Sequence, residues 1–150
     1  MRNLLKLPPN QQIKLDEKNS PLSLIKEQAN YLTAATNSKL VAEVGLAQSN
    51  GEQNMRPFIL KVPTMYNYIV TLFTFSHPLA AWYPLTLTFS LEKETVTNPI
   101  NGTIMRNKTF VVNNDAELEH DLEFILNHQN THATIQVLLE QELQTHQDEV

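Results

Sequence analysis

Leu85-Thr86-Leu87-Thr88-Phe89-Ser90-Leu91 is the stretch on which the fold turns. Apolar and hydroxyl side chains alternate without interruption, the period of a strand with one face in a core and one in water. It closes a longer run, Val62 to Leu91, that contains no Asp, Glu, Lys or Arg. A run of that length matches a membrane-spanning helix. Pro63, Pro78 and Pro84 interrupt it, however, and its end has strand period, so it reads as sheet and no membrane is implied.

Towards the N-terminus, Tyr66 to Ser76 forms a second strand. Tyr68, Val70 and Leu72 oppose Ile69, Phe73 and Phe75, which predicts a central strand covered on both faces. Phe58 to Val62 is another, with Pro63 marking its end or a bulge. Lys39 to Gln48 reads as a half-buried strand, with Leu40, Ala42, Val44 and Leu46 on one face and Glu43 on the other. Asn50-Gly51 supplies the positive φ of a hairpin turn between residues 49 and 54. Towards the C-terminus, Asn98-Pro99 and Asn101-Gly102 signal a turn. Ile104 to Val112 follows, with Arg106 and Lys108 on the same side as Ile104 and Phe110, the pattern of an edge strand.

Helices flank this β region. Ser20-Pro21 is a helix entry, because the Ser side chain caps free N–H groups and Pro at the first position loses no hydrogen bond. Leu22, Ile25, Ala29 and Leu32 then predict an amphipathic helix over 21–36, ended by Asn37-Ser38. Asn114-Asp-Ala-Glu117 resembles a capping box ahead of Leu118, Leu122, Ile125 and Leu126. Thr131 is the expected cap of a further helix carrying Ile135, Leu138, Leu139 and Leu143. A terminal strand from Thr134 to Leu139 is the rival reading. The expected fold is α+β: an N-terminal helix, a mainly antiparallel meander of four to five strands, and two C-terminal helices packed on one face. Residues 1–19, polar and carrying Pro8-Pro9, form an arm or edge segment, and residues 20–150 a single domain.

With 150 residues the chain buries one core. The absence of Cys excludes disulfides, thiol catalysis and thiolate metal sites, and with no secretory apolar run at the N-terminus the expected setting is soluble and cytoplasmic. Charge is segregated. Residues 1–112 hold 11 basic and 7 acidic side chains, whereas residues 113–150 hold 9 acidic and none basic, for a net charge of −5. Nucleic acid is therefore not an expected partner.

Four of the five His lie in the acidic end. His128 and His132 would stand one helical turn apart, with Asp121 or Glu123 nearby, but no third ligand has a diagnostic spacing, so no metal is assigned. His120 with Glu117 is a weak proton-transfer pair on a surface helix. Three Gly are too few for most phosphate cradles, so no cofactor is assigned either. Asn101-Gly-Thr103 and Asn107-Lys-Thr109 match the glycosylation pattern, without a secretion signal to give it meaning.

The strongest nonrandom feature is aromatic. Eight of 11 aromatic residues fall between Phe58 and Phe89. Most belong to the core, but Trp82-Tyr83 sits in a connection between Pro78 and Pro84, beside His77 at the end of a covered strand. The expected function is a noncatalytic protein-interaction domain, an adaptor, chaperone-like or inhibitor protein, or a homodimer. Its expected surfaces are the aromatic loop and an acidic helix face carrying Glu119 and Glu123. The alternative is a small-molecule pocket between sheet and helices lined by Tyr66, Tyr68, His77 and Trp82, with Tyr83 adjacent. A small enzyme using His77 ranks below both.

Overall fold

Helix α1, Pro21–Ala35, begins as its sequence dictates: Ser20 Oγ accepts the Ser23 N–H at 3.1 Å and Pro21 occupies the first turn. The computed structural model describes residues 20–98 and 102–148. The N-terminal arm and the turn at Pro99 lie outside the described residues.

Ile25 and Ala29 of α1 are buried, and Leu22, Leu24 and Leu32 pack partly against the same core. The helix ends where Asn37 and Ser38 take left-handed φ values of 54° and 63°. Thr33 in its last turn and Thr36 at its C-cap then bind the chain that follows. Thr33 Oγ1 accepts the Ala42 N–H at 2.9 Å, and buried Thr36 lies 3.0 Å from the Leu40 carbonyl. Threonine is a mediocre helix former. Here its hydroxyls satisfy backbone groups at the free edge of the sheet, an edge that would otherwise be open for pairing.

The strands are β1 Val41–Val44, β2 Gln48–Asn50, β3 Gln53–Val62, β4 Tyr68–Pro78, β5 Leu85–Asn98 and β6 Gly102–Val112. They pair antiparallel in the order β1-β3-β4-β5-β6, with β2 also on β3. The single strand expected over Lys39 to Gln48 is divided. Gly45 donates its N–H to Pro57 O at 2.8 Å, and a Cβ there would lie 2.6 Å from the Pro57 ring, so the chain bends where only glycine fits. Leu46 is consequently 89% exposed instead of sharing the inward face of Leu40 and Ala42. Gly51, φ 65°, holds the turn between β2 and β3.

Strand β4 is central, between β3 and β5, but among the described residues only one of its faces is covered by helices, not both as expected. Phe58 pairs with Phe73 and Ile59 with Thr71, so Leu72 is an extra residue on β4. Such a bulge shifts the alternation by one. Val70 and Leu72 before it, and Phe73 and Phe75 after it, therefore reach the same core, while Ile69 on the opposite face is 50% exposed. The two apolar sets of this strand are one set. Phe58 and Phe73 stack at 4.7 Å between ring centres.

Core residues Leu85, Leu87 and Phe89 of β5 obey the alternation of the opening stretch. At the β6 edge, Lys108 shares the face of Phe110 and places Nζ 4.4 Å from the Phe124 ring centre. Helix α2, Asp115–Leu126, starts in a capping arrangement: Asn114 Oδ1 accepts the Glu117 N–H at 2.9 Å, and the Glu117 carboxylate accepts the Asn113 N–H at 2.7 Å. Helix α3, Gln129–Asp148, includes Thr134 to Leu139, so the rival strand reading is overturned. It starts two residues before Thr131, whose hydroxyl instead donates to Ile125 O at 2.7 Å and ties α3 to α2. Leu118, Leu122, Ile125 and Leu138 join α1 on the core side of the sheet.

The bulge makes a testable contrast within four consecutive residues. Leu72→Ala and Phe73→Ala are each expected to cost about 2 to 5 kcal/mol. Thr71→Ala and Thr74→Ala are expected to change stability by less than about 1 kcal/mol. Urea unfolding of the four variants checks this; a large loss at Thr71 with none at Leu72 would contradict the register.

Candidate functional site at the β4–β5 connection

The site begins with the last inward residue of β4. His77 is 6% exposed, and its Nδ1 lies 2.8 Å from Pro78 O and 3.1 Å from Ala81 O. With two carbonyl oxygens facing it, Nδ1 carries the ring proton and donates it; this follows from the partners' chemistry. Nε2 is buried and meets no hydrogen-bonding partner among the described residues. Leu79 N–H donates to Glu52 O at 3.0 Å and Ala81 N–H to Pro78 O at 3.3 Å, so backbone bonds fasten the turn to the β2–β3 hairpin as well.

The next two side chains complete the attachment. The Trp82 ring lies 4.6 Å from the His77 ring, tilted by 49°. Tyr83 is half-buried against the core and donates its hydroxyl to the Asp115 carboxylate in the first turn of α2. Burial first, then that hydrogen bond and its negative charge, hold the Tyr83 hydroxyl well above the usual 10.0. The following peptide, Tyr83–Pro84, is cis. Despite these attachments the connection leaves Leu79 56% and Trp82 37% exposed. A loop held by a strand, a hairpin and a helix thus presents an apolar edge outward.

The five aromatic and histidine candidates separate into two groups. His77, Trp82 and Tyr83 come together. Tyr66 and Tyr68 stand at the other end of β4, about 30 Å away at the rise of a strand. The expected pocket that joined Tyr66 and Tyr68 with His77 and Trp82 is therefore not assembled. Tyr66 follows the 3₁₀ turn Pro63–Met65, has φ 54° and is wholly exposed, and Asn67 repeats the left-handed conformation at 56°. Tyr68 borders a cleft of about 240 Å³ with Val70, Val137 and Leu138. A second cleft, about 310 Å³, lies between the end of α1 and α3, with Thr36, Lys39, Leu139 and Glu140 in its wall.

Glu119 and Glu123 are both exposed, one turn apart on α2. The His120 ring pairs with Asp121 at 3.3 Å. His128 falls at the α2–α3 junction, accepts the Asn130 N–H at Nδ1 and packs edge-on against Phe89, while His132 is exposed. The two are thus in different surroundings, and no group of three or more metal-ligating side chains occurs among the described residues. Leu79 and Asp115 were not singled out by the sequence. Asp115 was readable only as part of a helix start, because its bond to Tyr83 spans 32 residues.

Compared with protein-family models, curated proteins and solved structures, the chain matches none. Among the described residues no helix is long and apolar enough to cross a membrane.

The Tyr83–Asp115 bond carries a pH signature. Below the ordinary tyrosine value of 10.0 the phenol is protonated in both folded and unfolded chains, so its contribution is constant. Above it the unfolded chain ionises first, and stability falls as pH rises towards the raised folded value. Tyr83→Phe is expected to cost about 1 kcal/mol at neutral pH and to lose less stability than the wild type above about pH 10. Denaturant midpoints at neutral and alkaline pH measure both effects; parallel alkaline loss in the two proteins would rule out this origin.

Proposed function

We propose that this chain is a noncatalytic protein-interaction domain that engages its partner through the Leu79–Trp82 loop, with the acidic surface of α2 beside it. The supporting observation is the combination of attachment and exposure. His77 and Tyr83 hold the loop in one shape, while Leu79 and Trp82 remain uncovered. A preordered loop loses little entropy on binding, and tryptophan is among the side chains that dominate interface energetics. The bond from Tyr83 to Asp115 sets the loop beside the acidic first turn of α2, so an apolar centre is bordered by Asp115 and Glu117. A partner segment with apolar and basic side chains fits that arrangement. Glu119 and Glu123 extend the negative field along the helix. A cytoplasmic setting is consistent with the absence of Cys.

A small-molecule reading draws support from the cleft of about 310 Å³ between α1 and α3, which is at the lower end of ligand-pocket size. It is built from other elements than the loop, so the loop and α2 variants below are expected to leave it unchanged.

The folded domain, immobilised, is expected to retain from its native cell a partner that Trp82→Ala binds at least about 30-fold more weakly. Glu119→Lys with Glu123→Lys is expected to slow that association and to reduce its salt dependence. Circular dichroism confirms that both variants remain folded. Equal binding by wild type and both variants would refute the proposal.

A further inference from the structure

The cleft between the end of α1 and α3 joins an apolar floor to one charged side chain of each sign. Its volume is about 310 Å³. At about 30 Å³ per liquid water it has room for about ten waters, the bulk of a molecule of roughly ten non-hydrogen atoms. Leu139 and Leu143 supply the apolar part, and Leu143 is 52% exposed to solvent. Lys39, in the connection from α1 to β1, and Glu140, on α3, supply the charges, and every other residue of the wall is uncharged.

The two charges do not neutralise each other. The ion pairs among the described residues are Glu43–Lys61 and His120–Asp121, and neither Lys39 nor Glu140 belongs to one. Both ends of the cleft are nevertheless fixed in place. Glu140 Oε1 accepts the side-chain N–H of Gln136, one turn earlier on α3 and also in the wall, at 3.0 Å. Lys39 follows the left-handed pair Asn37 and Ser38, and its N–H donates to Thr36 O at 3.1 Å. Thr36 itself is buried and its hydroxyl donates to Leu40 O at 3.0 Å, so this wall is tied to the start of the sheet.

We propose that this cleft binds a small zwitterion, a free amino acid with an apolar body. Its carboxylate meets Lys39, its ammonium meets Glu140, and its apolar part covers Leu139 and Leu143. The proposal rests on the small-molecule reading of the cleft and names the ligand class for it. Other classes of this size leave a charge unmatched. A carboxylic acid or a phosphate ester gains Lys39 but brings a like charge to Glu140, and a simple amine does the reverse. A neutral apolar molecule removes water from both charges and gives neither a partner. The cleft on the other flank of α3 makes the contrast: Tyr68, Val70, Val137 and Leu138 line it with no charged side chain, so it has nothing to orient such a ligand.

Titration of the full chain with leucine and, separately, with 6-aminohexanoate, followed by amide and methyl NMR shifts, tests the idea. The first probe carries its charges on adjacent atoms and the second at opposite ends of a chain. At least one is expected to move the signals of Lys39, Gln136, Leu139, Glu140 and Leu143 saturably and to leave the Val70 and Val137 methyls of the other cleft still. N-acetyl-leucine and leucinamide, each lacking one charge, are expected to bind at least about tenfold more weakly than the zwitterion. Lys39→Gln and Glu140→Gln, both at exposed positions, are expected to weaken zwitterion binding at least about tenfold with circular dichroism unchanged. In Glu140→Gln the preference for leucine over N-acetyl-leucine is expected to disappear. Neutral 4-methylpentanamide separates the two levels of the reading. If it or a singly charged analogue fills the cleft as tightly as the zwitterions, the zwitterion class is overturned and the small-molecule reading stands. If no probe moves the cleft signals, both fall. Zwitterion binding that survives both substitutions overturns the assignment of the charges.

Discussion

The burial of Leu72 and Phe73 side by side, opposite a single residue Phe58, governs the rest of the molecule. Without the extra residue, strict alternation would send Val70 and Leu72 to one face and Phe73 and Phe75 to the other, and the sheet would need helices on both sides. With it, the apolar content of the longest central strand is collected on one side. Three helices then suffice to cover the core. The opposite face is left to Thr, Ser and a few aliphatic side chains, where β-branched threonine suits a pleated surface.

The same strand fixes the candidate site. After the bulge the inward positions are Phe73, Phe75 and His77, so the histidine arrives in the core layer at the last turn of the strand. A buried polar ring there needs partners. It finds them in the carbonyls of Pro78 and Ala81, which curls the chain back and sets Trp82 against the ring. The loop is therefore a consequence of satisfying His77, and its apolar edge is what remains uncovered. Chemistry at this position is constrained by the same geometry, because one ring nitrogen holds the turn and the other is enclosed.

Charge follows a separate logic. Asp115 and Glu117 lie in the first turn of α2, where the exposed N–H groups and the helix dipole favour negative side chains. Part of the acidic bias of residues 113–150 is thus local helix chemistry, and part binds Tyr83. Lys108 crosses from the edge strand to the Phe124 ring, so one of the basic residues before that segment meets α2. The contact is to an aromatic face and not to a carboxylate.

Period, caps and turn residues acted through neighbours in the chain, and for that reason they were legible. The helix at Ser20-Pro21, the capping arrangement at Asn114, the strand from Leu85 and the edge character of β6 all depend on groups within a few residues of each other. The α+β class followed from their order. The bend at Gly45, the bulge at Leu72, the reach of Thr131 to Ile125 and the Tyr83–Asp115 bond depend on what lies across a strand or a helix junction. Composition carries no trace of such partners. For the same reason the sequence proposed Tyr66, Tyr68, His77 and Trp82 as one group, although a straight strand keeps its two ends apart. Tertiary structure alone decided which aromatics meet and which sheet face stays open, because one inserted residue in a ladder reverses every side chain beyond it while leaving the local pattern of residues unchanged.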